Sequence, residues 1–429
     1  MRDHLKKLTQ ILQQHQQSTL WVAFSGGLDS RVLLHSVLQV QPNFPDIKIK
    51  VAHVNHGLSS HADDWANQCQ ILCRQLGLDC RIKTLNLRAE QQGASLEELA
   101  RNARYHWFAQ LLEPNDILLT GHTLDDQAET LLLQLLRGSG VKGMAAMPDK
   151  KRLGPGWLLR PFLGIDRSSL HTIAIHHSLE WIEDESNVQT KFDRNYLRHQ
   201  VFPQLIERWP ATKKLLARAA NHAAEADELL DEVAAQDLSL ASNGSGQITI
   251  PILQQLSRGR QKNLLRFWLK QQGFSLPSQV KLEQILQEVV SSREDAKAVV
   301  HWPGVEIRRF RNCLYALSPQ PKFSPAEVLS WSLKQPLLLP NNQGCLVACG
   351  AESLGASEVT VKFRRGGERF HPLGRKGSHP LKKLLQEWQV PPWRRNNLPL
   401  IFLEDLLLAI PGYGVHQAYP DFSVALLQT

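Results

Sequence analysis

Short apolar runs alternate with helical patterns along the first half of the chain. In each helical pattern the apolar residues recur every three or four positions, and each apolar run has the length of a buried strand. Such alternation is typical of βαβ units and predicts a parallel sheet. The predicted strands are residues 19–24, 47–54, 81–87 and 116–121, and the predicted helices are residues 31–40, 62–76, 96–112 and 125–137.

The pattern changes near Trp209, where strands give way to helices. The later segments predict helices at 213–237, 258–272, 277–291 and 380–388, two strands within 298–317 that turn near Arg311 and Asn312, and short strands over the last hundred residues. We therefore expect three domains. They are a Rossmann-like doubly wound α/β domain at 1–215, a mostly helical middle domain at 216–322 and a small α+β domain at 323–429.

Composition narrows the class of protein. The chain has 429 residues, a net charge of +8 and a pI near 9.2, and a basic balance of this kind favours nucleic acid as a partner. Its six cysteines include no CxxC pair, so we expect reduced thiols rather than a disulfide scaffold. The N-terminal segment lacks the apolar core of a signal peptide, and no segment has the roughly 18 apolar residues of a membrane span. We expect a cytoplasmic protein with no membrane partner.

The segment Ser25-Gly26-Gly27-Leu28-Asp29-Ser30 follows the first predicted strand and opens a helix. Glycine permits a sharp bend and a close approach to a ligand, and the amides at a helix N-terminus favour phosphate oxygens. Because no lysine follows the second glycine, the segment lacks the P-loop signature and suits the capture of pyrophosphate as a leaving group. Asp29 could hold Mg²⁺ on that pyrophosphate. The alternative is an ordinary strand-to-helix turn with Asp29 or Ser30 as its N-cap.

This segment resembles the signature of the PP-loop ATP pyrophosphatase family, whose members split ATP into AMP and pyrophosphate. Further segments resemble, in order, the tRNA(Ile)-lysidine synthetase branch: HVNHGL at 53–58, EELARNARY at 97–105, GHTLDDQAET at 121–130, LRPF at 159–162, EDESN at 183–187 and RNYLR at 194–198. The resemblance implies a HUP-type fold, ATP as co-substrate and Mg²⁺ as cofactor. It also implies ligation of free L-lysine to C2 of the wobble cytidine of tRNA(Ile), anticodon CAU, through an adenylated cytidine.

Three carboxylates and an arginine join Asp29 as catalytic candidates. The amine of lysine, with a pKa near ~10.4, must lose a proton before it attacks, and a carboxylate can position it and accept that proton. Asp125 and Glu129 share a helix face, and Asp126 lies between them; Asp29 and Asp126 are the candidate metal ligands. Which carboxylate binds metal and which handles lysine is not readable from the sequence. The alternative is favourable acidic placement in a first helical turn.

Arg104, with Arg101 beside it on the same helix, could bind phosphate or the carboxylate of lysine; the alternative is a solvated helix face. His53, Asn55 and His56 follow the second strand and, with Ser25–Ser30, are the candidate residues of the ATP pocket. His53 is equally well explained as a hydrogen-bonded histidine at a strand end.

Residues 362–395, which we call the basic segment, contain ten cations and two anions, an excess equal to the net charge of the whole chain. Aromatic residues, including Phe363, Phe370, Trp388 and Trp393, interleave with the cations, and this combination suits RNA. The resemblance implies that the middle and C-terminal domains contact tRNA; the alternative is a solvated basic face. The candidate tRNA-binding residues are Arg364, Arg365, Arg369, Lys376, Lys382, Lys383, Arg394 and Arg395.

Other functions are open from the sequence. A tRNA-thiolating PP-loop enzyme would need reactive cysteines near the loop, and Cys69, Cys73 and Cys80 lack an activating context. A non-catalytic RNA-binding protein would not need an intact Ser25–Ser30 segment, and a small-molecule amidating synthetase would not need the basic segment. The sequence leaves the oligomeric state open, including a homodimer.

Overall fold

The computed structural model describes residues 3–15, 18–57, 59, 61–85, 96–185, 190–244, 246–293, 298–319, 328–340 and 344–427. Of the motif residues quoted above, Leu58, the side chain of Glu97, Ser186 and Asn187 lie outside the described part. The chain folds into two compact units, Met1–Glu232 and Val233–Thr429. Among the described residues, no helix has both the length and the apolar character needed to cross a membrane.

Six strands of the first unit form one sheet with the order β3-β2-β1-β4-β6-β5. All neighbours pair in parallel except β5 and β6, which form an antiparallel pair at one edge. This sheet confirms the predicted doubly wound α/β fold. Its strands are β1 (Thr19–Ala23), β2 (Lys48–Asn55), β3 (Asp79–Thr84), β4 (Ile117–Leu119), β5 (Lys150–Leu153) and β6 (Gly156–Leu159).

The helices of the first unit include the four that the apolar periodicity predicts. The structure adds α1 and α7, together with short helices before the long helix α10, which continues past residue 232. The helices are α1 (Asp3–Gln14), α2 (Leu28–Val40), α3 (Ala62–Gln75), α4 (Leu96–Leu111), α5 (Leu124–Leu136), α6 (Val141–Met144), α7 (Arg167–His176), α8 (Asp193–Tyr196), a π-helical stretch (Leu197–Val201), α9 (Phe202–Arg208) and α10 (Thr212–Ala241).

Strand β1 is buried on both faces because helices cover the sheet on each side. Leu20 and Val22 point to one face and belong to a core with residues of α1, α2 and α7. Trp21 points to the other face and packs in a second core with Phe108 and Leu112 near the end of α4. This two-sided burial is why the strand is a continuous apolar run rather than an alternating one.

The strand order reverses between β1 and β4, which are neighbours in the sheet. From β1 the chain continues to β2 on one side, and it later returns to β4 on the other side. In such sheets ligands bind beyond the carboxyl ends of the strands at this point. A Cβ at Gly121, just after β4, would lie 3.0 Å from the backbone of Asp29. The two strand ends therefore approach each other closely, as a shared site requires.

In the second unit, helices α11–α13 pack against a four-stranded sheet, and a five-stranded, a three-stranded and a two-stranded sheet follow among the described residues. The elements are β7 (Ile248–Thr249), α11 (Ile250–Gln255), α12 (Arg258–Gln271), α13 (Gln279–Gln284), a π-helical stretch (Ile285–Val290), β8 (Val299–Trp302), β9 (Val305–Phe310), β10 (Cys313–Leu317), β11 (Val328–Ser332), β12 (Leu337–Leu338), β13 (Cys345–Cys349), β14 (Glu358–Phe363), β15 (Arg369–Phe370), β16 (His379–Pro380), α14 (Leu381–Glu387), α15 (Pro392–Arg395), β17 (Pro399–Leu403), β18 (Leu406–Ile410), β19 (Gly414–Val415) and β20 (Ser423–Leu427).

The prediction of two strands within 298–317 was wrong, because this segment contains β8, β9 and β10. The predicted turn at Arg311 and Asn312 is present between β9 and β10. The missed turn lies between Trp302 and Val305, where Gly304 adopts a left-handed φ of +79°. Pro303 and Gly304 form a Pro-Gly pair at this turn, and such a pair is a turn signal in the sequence. The predicted domain boundaries after residues 215 and 322 stay predictions.

Candidate active site

The Ser25–Ser30 segment is locked by hydrogen bonds among its own residues. The Ser25 amide donates to Ser30 Oγ at 3.2 Å, and the two serine hydroxyls lie 3.1 Å apart. Ser30 Oγ donates to the Gly27 carbonyl at 3.0 Å. Gly26 has a φ of +85°, and a Cβ there would lie 2.5 Å from Ile182 Cδ1. Only glycine fits this position without strain.

Helix α2 starts directly after this segment, with Gly27 as its N-cap and no side-chain cap. Asp29 and Ser30 therefore lie inside the first turn and do not cap the helix, in contrast to the ordinary-turn alternative. The first-turn amides and the positive end of the helix dipole face the end of the strands. This arrangement favours an anion such as a phosphate.

A cavity of about 580 Å³ opens over this segment. Its volume lies within the usual range for small-molecule sites. It is lined by Ser25, Gly27, Leu28, Asp29, Ser30, Asp126, Arg167, Ser168, His171, Trp181, Ile182, Glu183, Asp184 and Arg198. The structure thus brings five residues of the segment together with Asp126.

Asp29 is a carboxyl group in a largely buried position. Burial raises its pKa to about 6, and Arg167 opposes this shift. Arg167 Nε lies 3.4 Å from Asp29 Oδ1, and neither atom has a hydrogen-bond partner. A carboxylate oxygen that accepts no hydrogen bond and lies beside a phosphate-binding helix end fits a divalent cation, because Mg²⁺ is usually held by one or two carboxylates plus substrate phosphates. Among the described residues, no group of three or more metal-ligating side chains is present.

Asp126 is the second carboxylate of the cavity. Its side chain accepts a hydrogen bond from the Thr123 amide at 2.8 Å, and the two residues form a capping box at the start of α5. Burial alone would raise the pKa of Asp126, but the charges of Arg194 and His122 outweigh it and hold the pKa below its usual value. Asp126 Oδ1 also pairs with Arg198 at 3.5 Å. Asp126 therefore favours the ionised form that a metal ligand needs.

Asp125 and Glu129 do share one face of α5, but cations occupy both. Glu129 is buried and accepts from Arg194 Nε at 2.9 Å and from Arg198 Nε at 2.7 Å. Asp125 accepts the backbone amide of Arg167 at 2.9 Å and pairs with Lys213. Neither is among the described residues that line the cavity.

The candidates at the end of β2 are held by local contacts; His53 and Asn55 lie within the strand, and His56 follows it. His53 is buried, and its Nδ1 lies 2.8 Å from the Phe24 carbonyl oxygen. Asn55 donates to Asp63 at 2.7 Å and accepts from the Gly57 amide at 2.8 Å. Burial, with a smaller effect of nearby charge, lowers the pKa of His56 to about 4. The side chains of His53, Asn55 and His56 are not among the described residues that line the cavity.

Arg104 lies with Arg101 against one aromatic ring. Their guanidinium carbons are 5.4 and 5.5 Å from the centroid of Tyr105, a distance typical of cation–π contacts. Burial lowers the pKa of Arg104, and the neighbouring charges of Arg101 and Arg194 add to this effect. The positive charges thus form a cluster that does not line the described cavity.

The cavity residues between 167 and 184, and also Arg198, are not among the site residues predicted from the sequence. Arg198 and Asp184 belong to segments quoted for the family resemblance, so a signal for them was present. Arg167, Ser168 and His171 lie on α7, a helix that the periodicity did not predict. No motif in that stretch points to a site.

Several cations of the basic segment are held by contacts within the protein. Arg364 lies 3.7 Å from Glu368, Arg375 donates to Glu387 at 2.6 Å, and Arg395 donates to the Val390 carbonyl at 2.8 Å. Arg369 donates to the Ser378 carbonyl at 2.5 Å although its side chain is exposed. The other candidates, also exposed, are Arg365, Lys376, Lys382, Lys383 and Arg394.

The expectation that all the aromatic residues of the basic segment suit RNA stacking was wrong for two of them. Phe363 is 2% exposed and Phe370 is 1% exposed, because each fills a core of the second unit. Trp393 packs against Phe310 and Tyr315. Helix α14 buries Leu381, Leu384 and Leu385 and presents Lys382 and Lys383 on its opposite, exposed side.

Comparisons with known proteins agree with this architecture. Family profiles described as a PP-loop domain, a TilS substrate binding domain and a TilS substrate C-terminal domain match residues 1–205, 249–315 and 359–424. The tRNA(Ile)-lysidine synthase of Coxiella burnetii is 43% identical over 94% of this chain and 90% of its own. That of Legionella pneumophila (strain Paris) is 40% identical over 94% of this chain and 93% of its own.

Among solved structures, the U34-tRNA thiolase NcsA from Methanococcus maripaludis, with its [4Fe-4S] cluster, aligns over 52% of this chain and 78% of its own. The two sequences are 17% identical in that alignment, and the TM-score is 0.43. Similarity at this level carries no information about activity.

Proposed function

The chain belongs to the tRNA(Ile)-lysidine synthase family, and we propose that its cavity over Ser25–Ser30 binds ATP for adenylation of the wobble cytidine of tRNA(Ile). The protein is an ATP-using ligase that forms lysidine on tRNA(Ile). The single observation that supports the placement of ATP is the geometry of the segment. A glycine-rich turn without a lysine leads into a helix N-terminus that faces a cavity of nucleotide size.

In the first step, O2 of the cytosine attacks the α-phosphorus of ATP and pyrophosphate leaves. Such a transfer needs in-line positioning and charge stabilisation, and no covalent intermediate with the protein. The amides at the start of α2 and the hydroxyl of Ser25 would hold the leaving pyrophosphate, while Ser30 Oγ, which donates to the Gly27 carbonyl, holds the turn in shape. Arg198, held by Glu129 at the rim of the cavity, would face the negative charge that develops during transfer.

Mg²⁺ would be held by Asp29 and Asp126, and when bound it would neutralise phosphate charge. The fit rests on two carboxylates at one cavity, one of them with an unpartnered oxygen. The fold places the backbone of Asp29 in the first turn of α2, and a capping box fixes the side chain of Asp126.

In the second step, the ε-amine of free L-lysine attacks C2, a C–N bond forms, the C–O bond to AMP breaks and one proton is released. Asp125 and Glu129 bind cations of the chain and do not line the described cavity, so the carboxyl groups that would meet a cationic amine are those of Glu183 and Asp184, which line it. The cluster of Arg101 and Arg104 remains our candidate for the carboxylate of lysine. The exposed cations of the basic segment, Lys376, Lys382, Lys383 and Arg394 among them, would bind tRNA phosphates.

The test is an incubation with ATP, labelled lysine and tRNA transcripts bearing a CAU anticodon, followed by digestion and identification of the labelled nucleoside. We expect label in lysidine at the wobble position, with AMP and pyrophosphate as products. Asp29→Ala should abolish incorporation. The matched control Asp149→Ala, at an exposed carboxylate paired with Lys7, should not. Release of ADP and orthophosphate, or full activity of Asp29→Ala, would contradict the proposal.

The thiolation alternative is less supported. Cys69 and Cys73 are fully buried in the core, and burial raises the pKa of Cys69 to about 12. No described cysteine lines the cavity. A variant with serine at positions 69, 73 and 80 should therefore still incorporate lysine. A folded variant that has lost all tRNA modification would revive the alternative.

A further inference from the structure

Lys213 is the second residue of α10, and its side chain contacts a residue 88 positions earlier in the chain. Its Nζ pairs with Asp125 Oδ1, and the lysine side chain is 30% exposed while that of Asp125 is 12% exposed. An ion pair with little exposure on one side is weakly screened by solvent and depends strongly on both partners. Lys213 is not among the described residues of the cavity.

Asp125 uses its second oxygen on a different helix. Oδ2 accepts the backbone amide of Arg167, the first residue of α7, at 2.9 Å. The N-cap residue of α7, Asp166, makes no side-chain cap hydrogen bond. The carboxylate of Asp125 therefore takes the place of a cap for α7, since a first-turn amide has no partner within its own helix. One carboxylate thus joins the first turns of α5, α7 and α10.

The first turns of α7 form one wall of the cavity. Arg167, Ser168 and His171 all line it, and Arg167 Nε lies 3.4 Å from Asp29 Oδ1. A continuous set of contacts therefore runs from Lys213 to Asp125, from Asp125 to the Arg167 amide, and from the Arg167 side chain to Asp29. Loss of the Lys213 charge would leave the buried Asp125 carboxylate with one partner and would loosen its hold on α7.

We propose that Lys213 is a positioning residue for the nucleotide cavity, acting through Asp125 on the first turn of α7. This inference rests on the proposed placement of ATP. Lys213 touches neither ATP nor the reacting atoms. Its effect is on the position of Arg167, Ser168 and His171 around the nucleotide. The effect should therefore fall mainly on the affinity for ATP and much less on kcat at saturating ATP.

The experiment measures binding of a non-hydrolysable ATP analogue and the KM and kcat for ATP in lysine incorporation, using the full-length enzyme. We expect Lys213→Met to weaken analogue binding and raise the KM for ATP about tenfold, an effect in the middle of the range for coupled neighbours. Lys213→Arg, which keeps the charge, should restore most of the affinity. The matched control Lys214→Met changes the adjacent, exposed lysine and should behave as wild type.

A double-mutant cycle with Asp125→Asn tests the route. If Lys213 acts through Asp125, Lys213→Met should cause no further loss in the Asp125→Asn background. Losses that multiply in the double variant, or analogue binding by Lys213→Met equal to that of Lys214→Met, would overturn the inference. Should Lys213→Met fail to fold, Lys213→Gln carries the same comparison. Failure of wild type itself to bind the analogue would refute the placement of ATP instead.

Discussion

Asp29 lies in a position that suits a ligand more than it suits the stability of the fold. Its side chain is 26% exposed, and burial raises its pKa from 3.8 to about 6. The nearest cation, Arg167, does not reverse this shift. We therefore predict that Asp29→Asn, which removes the charge and keeps the shape, stabilises the protein without nucleotide at neutral pH while it abolishes lysine incorporation.

The magnitude follows from linkage. A carboxyl group with a raised pKa in the folded state binds its proton more tightly there, so its favourable contribution is fully present below pH 3.8 and is lost as the pH rises through about 6. A shift of roughly two units corresponds to about 3 kcal/mol. Asparagine has no proton to lose. The variant should therefore gain up to about 3 kcal/mol above pH 6 relative to wild type, and almost nothing below pH 3.8.

The assay is denaturant unfolding of both proteins, free of nucleotide and metal, at several pH values between 4 and 8. The difference in unfolding free energy between variant and wild type cancels the titration of all other groups. Asp149→Asn, at an exposed carboxylate, serves as the control and should show a flat difference. A difference for Asp29→Asn that is constant with pH, or that favours wild type at pH 8, would refute the reasoning from burial.

Three further predictions concern the segment, the metal and the RNA. Gly26→Ala should weaken ATP binding more than Gly77→Ala, because both glycines have a left-handed φ but only at Gly26 would a Cβ meet Ile182; equal effects would contradict this. Removal of Mg²⁺ with a chelator should weaken binding of ATP and leave binding of AMP almost unchanged, as measured by titration calorimetry. Lys382→Gln with Lys383→Gln should reduce the slope of log affinity for tRNA against log salt by up to about 1.8; an unchanged slope would remove α14 from the RNA surface.

The parts of the fold that the sequence predicts are those set by local rules. Strands β1 and β4 were predicted because each is a continuous apolar run, as burial on both faces requires. Strands β2 and β3 were predicted although polar residues interrupt their apolar ones, and the first residues of β2 and all residues of β3 are exposed or half-buried. The Ser25–Ser30 segment was readable because a left-handed φ at Gly26 requires glycine. Helix α7 was not predicted, since its buried stripe is short and consists of Leu170, Ile173 and Ala174.

The roles of the carboxylates on α5 could not be predicted from the sequence. The spacing predicts that Asp125 and Glu129 share a face, and they do. The cations that meet this face, Arg194, Arg198 and Lys213, are 65 to 88 residues away in the chain. No local sequence pattern predicts which of Asp125, Asp126 and Glu129 such distant cations will neutralise. The prediction for the basic segment is limited in the same way, because a count of cations does not reveal that Arg364 and Arg375 have acidic partners.

The charges around the cavity argue that the nucleotide does not enter alone. Four carboxyl side chains line the described cavity, those of Asp29, Asp126, Glu183 and Asp184, against two guanidinium groups, those of Arg167 and Arg198. Because Arg198 pairs with Glu129 and Asp126, part of its charge is neutralised within the protein. A polyphosphate in the cavity would meet more carboxyl groups than guanidinium groups. The negative charges of the phosphates and the carboxylates repel each other strongly where water is excluded. A divalent cation between Asp29, Asp126 and the phosphates resolves that conflict, and the α2 amides alone do not. Asp29, whose buried carboxylate makes the protein less stable, would therefore also help to make the cavity selective for a metal-bound nucleotide.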